Sequence, residues 1–272
     1  NRPHIATKYI DFIKENTPWK IIFYGHDLHF LRLQREYELE QRPELLEEIQ
    51  YFKNMEFSVM GKAEMSYYPS SLEVEEIHKI DDSIPVKAIT AYVFSDSVQV
   101  EKMTEGREGM LFVGGFAHPP NEDGVLWFAK EIFPLMRRQL PNISFRIVGS
   151  KPTEKVLALG QQEGIEVLGF VSDEKLHSLY QESRMVIVPL RYGAGVKGKV
   201  VEALHEGAAI LTTPCGAEGI PGIEEVVAIE GEEREFAKTG ALLYQNIPKL
   251  REMGQKSLEF VEKVFSTEAV FE

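Results

Sequence analysis

The chain has 272 residues, 43% of them hydrophobic and 27% charged, enough for one large domain or two modest ones, each with its own core. A net charge of −13 argues against general nucleic-acid binding, which needs a basic face. The single cysteine, Cys215, excludes an intramolecular disulfide and a cysteine-rich metal site.

No apolar run reaches the roughly 18–20 residues that cross a bilayer, and no signal-peptide pattern opens the chain. The expected setting is the cytoplasm, or the inner face of a membrane through peripheral association with a docked partner or lipid acceptor. Among the seven histidines only His26 and His29 lie close together. They lack a third ligand nearby, so no metal is expected there, and no cofactor is expected.

In chain order, Ile5, Tyr9, Ile10 and Ile13 repeat at helical spacing until Thr17-Pro18. Trp19 to Tyr24 reads as a buried strand with Gly25-His26-Asp27 past its carboxyl end. A charged helical stretch runs from Leu28 to Lys62, broken at Pro43. Ala63 to Tyr68 reads as a strand, Ser70-Ser71 caps a helix, and Val86 to Val93 reads as a further strand. The polar stretch Ser95 to Arg107 is the candidate linker.

From Met110 the alternation becomes regular, with strands expected at 110–114, 143–148, 165–168, 185–189, 208–212 and 225–229. Helices are expected at Asp123–Gln139, after Pro152, from Ser172-Asp173, and at 198–206, 233–243 and 247–264. This pattern predicts an α/β fold with a parallel sheet covered on both faces. The domain division is residues 1–100 and 101–272, the last helix packing back on the first domain. Because the chain begins in a helix rather than a strand, the first domain is expected to be truncated at its N-terminus.

Ligands of open parallel sheets bind beyond the carboxyl ends of the strands, where four loops stand out. Gly114-Gly115-Phe116-Ala117-His118-Pro119-Pro120-Asn121 has two glycines and leads into a helix whose N–H groups could face an anion. It also reads as an ordinary tight turn. The segment Pro189 to Ala203 puts Gly193, Gly195 and Gly198 beside Arg191, Lys197 and Lys199 at a helix N-terminus, a local positive site in an acidic protein. It lacks the spacing of a P-loop. Glu202 in that helix is placed to accept hydrogen bonds from a ribose diol, or is a solvated carboxylate. Thr212–Gly222, carrying Glu218, and Leu168-Gly169-Phe170-Val171, whose backbone could face a nucleobase, each read equally as plain loops.

The segments FVGGFAHPPNEDGVLWFAKEIFP, RIVGSKP, LGFVSDEKLHSLY, VIVPLRYGAGVKGKVVEALHEGAAILTT and GAEGI resemble glycosyltransferase family 4 over about 110 residues. The resemblance implies a GT-B fold of two Rossmann-like parallel-sheet domains and metal-independent, retaining transfer of a sugar from a nucleotide donor. By the same resemblance Glu202 matches the second glutamate of an E-x7-E motif, which holds the donor ribose. Arg191, Lys197 and Lys199, with Gly114-Gly115, become candidates for the diphosphate, and His26 for a contact to the donor sugar. His118, Gly193, Gly195 and Glu218 complete the expected donor-binding set. The position of the first glutamate is taken by Ala194.

The leading expectation is a transferase acting on a nucleoside-diphosphate sugar and a saccharide or lipid-linked acceptor, in polysaccharide or glycoconjugate synthesis. A non-catalytic module binding a nucleotide sugar or a partner is the alternative. A sugar-nucleotide epimerase is a third, with His26, Asp27 and His118 as its acid/base candidates.

Overall fold

The computed structural model describes residues 2–95 and 106–271. Most of the expected linker Ser95–Arg107 therefore lies outside the described residues. Backbone contacts divide the chain into two units: Asn1–Ala91 with Tyr192–Val196 and Glu218–Ile220, and the remainder.

In the first unit, helix α1 (Pro3–Asn16) opens on a proline, which costs no hydrogen bond at that position. It stops where Thr17 N–H closes on Ile13 O, just before Pro18. Strands β1 (Ile22–Tyr24), β2 (Met65–Tyr68) and β3 (Val86–Ala88) form a parallel sheet in that order among the described residues. The expected strand Val86–Val93 shortens to three residues because Ala88 is the last partner β2 offers, opposite Tyr68.

The long charged stretch splits as the proline demands, into α2 (His29–Glu40) and α3 (Leu45–Met60). The first turn of α2 has no side-chain cap of its own. Glu56 of α3, fully buried, supplies one by accepting from the backbone N–H groups of His29 (2.8 Å) and Phe30 (3.2 Å) and facing His29 Nδ1 at 3.0 Å. Ser70 caps α4 (Ser71–Ile80) by accepting from Glu73 N–H. The core gathers Phe23, Leu28, Met60, Tyr68 and Ile77, and Ala194 joins it.

In the second unit, β4 (Met110–Val113), β5 (Phe145–Val148), β6 (Ile165–Gly169), β7 (Met185–Val188), β8 (Ile210–Thr212) and β9 (Ala228–Ile229) pair in parallel. Their order is β6-β5-β4-β7-β8-β9. Strand β7 is buried along its whole length, as an unbroken apolar run in a doubly covered sheet should be. Helix α5 (Pro119–Trp127) begins four residues before the expected Asp123, because Pro119 and Pro120 fit its first two positions. A wide π turn at Phe128–Ile132 then precedes α6 (Phe133–Gln139), where Pro134 cannot supply a backbone N–H.

The remaining helices are α7 (Glu154–Ala158), α8 (Asp173–Glu182), α9 (Gly198–His205), α10 (Pro214–Ala217), α11 (Glu233–Gln245), α12 (Ile247–Phe265) and α13 (Thr267–Phe271). Thus the expected loop 213–222 contains a short helix. The expected strand 225–229 shrinks to two residues, since Ile223–Glu225 turn as a 3₁₀ helix. Helix α12 packs on α9 and α11 inside the second unit, with Ser257 Oγ donating to Ala208 O at 2.9 Å. Phe112, Phe128, Phe133, Phe145 and Phe236 fill the centre of this core, each fully buried side chain contributing roughly 1.5–3 kcal/mol. No helix among the described residues is long and apolar enough to cross a membrane.

Candidate functional site

Strand β4 pairs with β5 on one side and β7 on the other. Chain connections therefore leave β4 and β7 in opposite directions, which opens a crevice at the carboxyl ends of these strands. A cavity of about 340 Å³ lies there, within the second unit. Its wall combines Gly114 and Gly115 after β4, Gly149 and Ser150 after β5, Phe170 after β6, and Lys199 and Glu202 of α9. Two of the loops run so close together that a Cβ on Gly149 would strike the Gly114 carbonyl. Only glycine allows that approach.

Lys199 sits in the first turn of α9. Its ammonium donates to Asn121 Oδ1 at 2.8 Å. Burial, with help from the neighbouring Lys197 charge, pulls its pKa down to about 8. The same helix end carries backbone N–H groups of Gly198 and Lys199 that lack an intrahelical partner by geometry. Charge, dipole and N–H groups therefore favour an anion at this wall. Glu202 follows on the exposed side of α9 and adds a carboxylate acceptor to the cavity. Phe170, 79% exposed, stands at the rim as a free aromatic face.

The N-terminus of α5 behaves differently from the expectation. Pro119 and Pro120 occupy its first two positions and carry no N–H, and Asn121 N–H is already bonded to His118 O at 3.0 Å. The expected N–H cradle after Gly114-Gly115 is therefore depleted. What this turn presents is the Asn121 side chain, 4% exposed, whose Nδ2 donates to Gly115 O at 2.7 Å.

Of the other expected residues, Lys197 is buried at the N-cap of α9. Arg191 is outside the cavity lining; it forms a two-pronged ion pair with Asp123 and lies over the Trp127 ring, 5.8 Å from its centre. His118 is the exposed N-cap residue of α5. His26, Gly193, Gly195 and Glu218 belong to the first unit. There the exposed His26 ring stands edge-on to Tyr24 with centres 5.2 Å apart. Arg35 grips the Glu218 carboxylate at 2.6 and 2.7 Å and donates to Gly193 O at 2.6 Å. Gly195, at φ +67°, lies against His26 O and the buried Glu73 carboxylate, which also accepts from Leu28 N–H at 3.0 Å.

Asn121, Ser150 and the Phe170 ring were not singled out from the sequence. The signal that could have found them is position: Ser150 and Phe170 follow the carboxyl ends of β5 and β6 by two residues and one, and Asn121 stands in the first turn of the helix after β4. Among the described residues no group of three or more His, Cys, Asp or Glu side chains is arranged to hold a metal ion.

Comparison with known proteins gives three findings. Residues 107–246 match the family model described as Glycosyl transferases group 1. A Klebsiella pneumoniae protein, "Uncharacterized 44.6 kDa protein in cps region", is 27% identical over 169 residues, which cover 60% of this chain and 44% of that relative. The chain thus spans less than half the length of this curated relative. Solved structures that share the fold include the following two. A point mutant of S. aureus TarM, in complex with Fondaparinux, alpha-GlcNAc-glycerol and UDP, superimposes with a TM-score of 0.70 at 12% identity, over 94% of this chain and 51% of its own. Sucrose-phosphate synthase from Thermosynechococcus elongatus gives 0.74 at 16% identity, over 95% of this chain and 67% of its own. The expected α/β fold of GT-B type is therefore the observed one.

Proposed function

The chain belongs to the Glycosyl transferases group 1 family, and we propose on that footing that the cavity beside α9 binds a nucleoside-diphosphate sugar for transfer to a saccharide or lipid-linked acceptor. The observation that carries this reading is the Lys199 ammonium, held in the first turn of α9 on a cavity wall that also bears Glu202.

In this reading the diphosphate lies against Lys199, the α9 N–H groups and the Gly114-Gly115 backbone, with the Lys197 charge behind. Glu202 accepts from the ribose hydroxyls, and Phe170 offers a face to the base. Departure of the sugar leaves negative charge on the diphosphate. Fixed cations and oriented N–H groups stabilise that charge as it develops, the usual source of a large electrostatic rate effect. No metal is invoked, and retention of anomeric configuration goes with the resemblance to family 4. UDP is the first probe to use, since a TarM structure contains it. The Klebsiella relative from a cps region supports a role in polysaccharide synthesis.

The test is calorimetric titration of the chain with UDP, GDP and dTDP, repeated on Glu202→Ala. Binding of one of them, weakened by the substitution, supports the reading. If none binds, the donor site is wrong. If Glu202→Ala binds as tightly as the parent, the ribose role alone is lost.

A second reading, donor binding without turnover, is favoured by Ala194. Where the family motif has a glutamate, this chain buries a methyl group in the core of the first unit. Sugar transfer from a hydrolysable donor to any acceptor would remove that reading.

A further inference from the structure

The Lys199 ammonium is held in an unusual way. Its side chain is largely buried, yet among the described residues no carboxylate oxygen lies within 4 Å of its nitrogen. Its acceptor is the neutral amide of Asn121, itself nearly inaccessible and fixed at its other end to Gly115 O. The packing leaves little freedom: a Cβ on Gly114 would lie 3.0 Å from both Asn121 and the Lys199 stem. The charged and titratable groups around the ammonium are Lys197 and Glu202 of α9 and the Cys215 thiol of α10, with Asp173 of α8 on the same cavity wall. None of them is its hydrogen-bond acceptor.

An amide is the side chain that suits both contacts at once. It donates to a carbonyl and accepts from an ammonium while carrying no charge. Aspartate has nearly the same shape, but it would repel Gly115 O and neutralise Lys199 in an ion pair. Two prolines have also removed the first N–H groups of α5, so this amide is what the turn contributes to the wall.

Resting on the donor-site reading above, we propose that Asn121 is a positioning residue for the donor diphosphate: it aims the Lys199 ammonium and anchors the Gly115 turn without forming an ion pair with the lysine, so that the diphosphate becomes its direct counter-ion. Asn121 acts through Lys199 and the loop rather than on the reacting bond. Because the ammonium has a pKa near 8 in the unliganded chain, diphosphate binding takes up a proton above that pH.

The experiment compares Asn121→Asp, Asn121→Ala and Asn121→Ser with the parent, each checked for folding by thermal melting. Affinity for UDP and for uridine is measured at pH 7 and pH 9. The parent should bind UDP about tenfold more weakly at pH 9, with uridine unaffected. Asn121→Ala and Asn121→Ser should lose about tenfold in UDP affinity at pH 7, the scale of one hydrogen bond that orients a charged group. Asn121→Asp should lose more than either while melting no lower than the parent, and uridine affinity should hold in all three. Carbon-13 NMR of the lysine Cε should show Lys199 titrating at higher pH in Asn121→Asp, whether or not a ligand is present.

A purely structural role for Asn121 makes the opposite forecast. The isosteric aspartate would then be the mildest change, and UDP and uridine would weaken together; either result overturns the proposal. A parent chain that binds none of the nucleoside diphosphates overturns the donor-site reading as well, whereas UDP binding that is unchanged in Asn121→Asp overturns only the role of Asn121.

Discussion

Replacing Lys199 with methionine separates what the folded chain gains from this side chain from what a ligand gains. Holding the ammonium at a pKa of about 8 instead of 10.5 corresponds to about 3 kcal/mol of penalty on the charged form, at about 1.4 kcal/mol per tenfold change. Methionine keeps most of the buried stem and removes the charge. It also leaves Asn121 Oδ1 without its donor, which returns about 1–2 kcal/mol of that gain. The variant should therefore be about 1–2 kcal/mol more stable at pH 7 by urea unfolding. It should bind UDP roughly ten- to a hundredfold more weakly, the loss of about 1.5–3 kcal/mol for a hydrogen bond to a charged group.

The pH dependence carries a second check. Between about pH 8 and 10.5 the unfolded chain retains a proton on residue 199 that the folded chain has released. Parent stability therefore rises with pH across that window relative to the methionine variant, and the gap between them closes. Below pH 8 both states of the parent are protonated and the gap is constant. A variant less stable than the parent at pH 7, with UDP affinity intact, would refute both the strained ammonium and its role at the cavity.

Three further outcomes are expected. Glu56→Ala should cost about 2–4 kcal/mol, because it leaves the first turn of α2 and the His29 imidazole without their buried acceptor; chemical denaturation reads it. His29 is opposed as a cation by its burial, but Glu56 and Asp27 outweigh that and raise its pKa above 6.5. Its contribution to stability is then full below pH 6.5 and lost as pH climbs through the folded value, a dependence that His29→Gln should abolish in pH-resolved melts. Arg35→Ala and Glu218→Ala should be non-additive by about 1–3 kcal/mol in a double-mutant cycle, since the pair is two-pronged and partly buried.

Much of the architecture was legible because its causes are local. Thr17-Pro18 and Pro43 stop helices, Ser70 and Ser172 cap them, and the apolar run at Met185 marks a strand covered on both sides. These signals act over one or two turns of chain. Two boundaries fell elsewhere than expected, one set by a strand partner and one by local sequence. Strand β3 ends where β2 ends, and α5 starts early because two prolines fit its first turn.

The candidate site divides along the same line. From the sequence alone came the order of the strand–helix units, the carboxyl-end loops that could hold a ligand, and the cluster of Lys197, Lys199 and Glu202 on one helix start. Only the tertiary structure decided which side chains meet. Lys199 finds Asn121, 78 residues away, and so keeps its charge at the cavity wall. Arg191 is taken by Asp123, 68 residues away, and Glu218 by Arg35, 183 residues away. Spacing within a helix or loop can place a charge, but the acceptor that leaves it bare or neutralises it arrives from another part of the chain through packing.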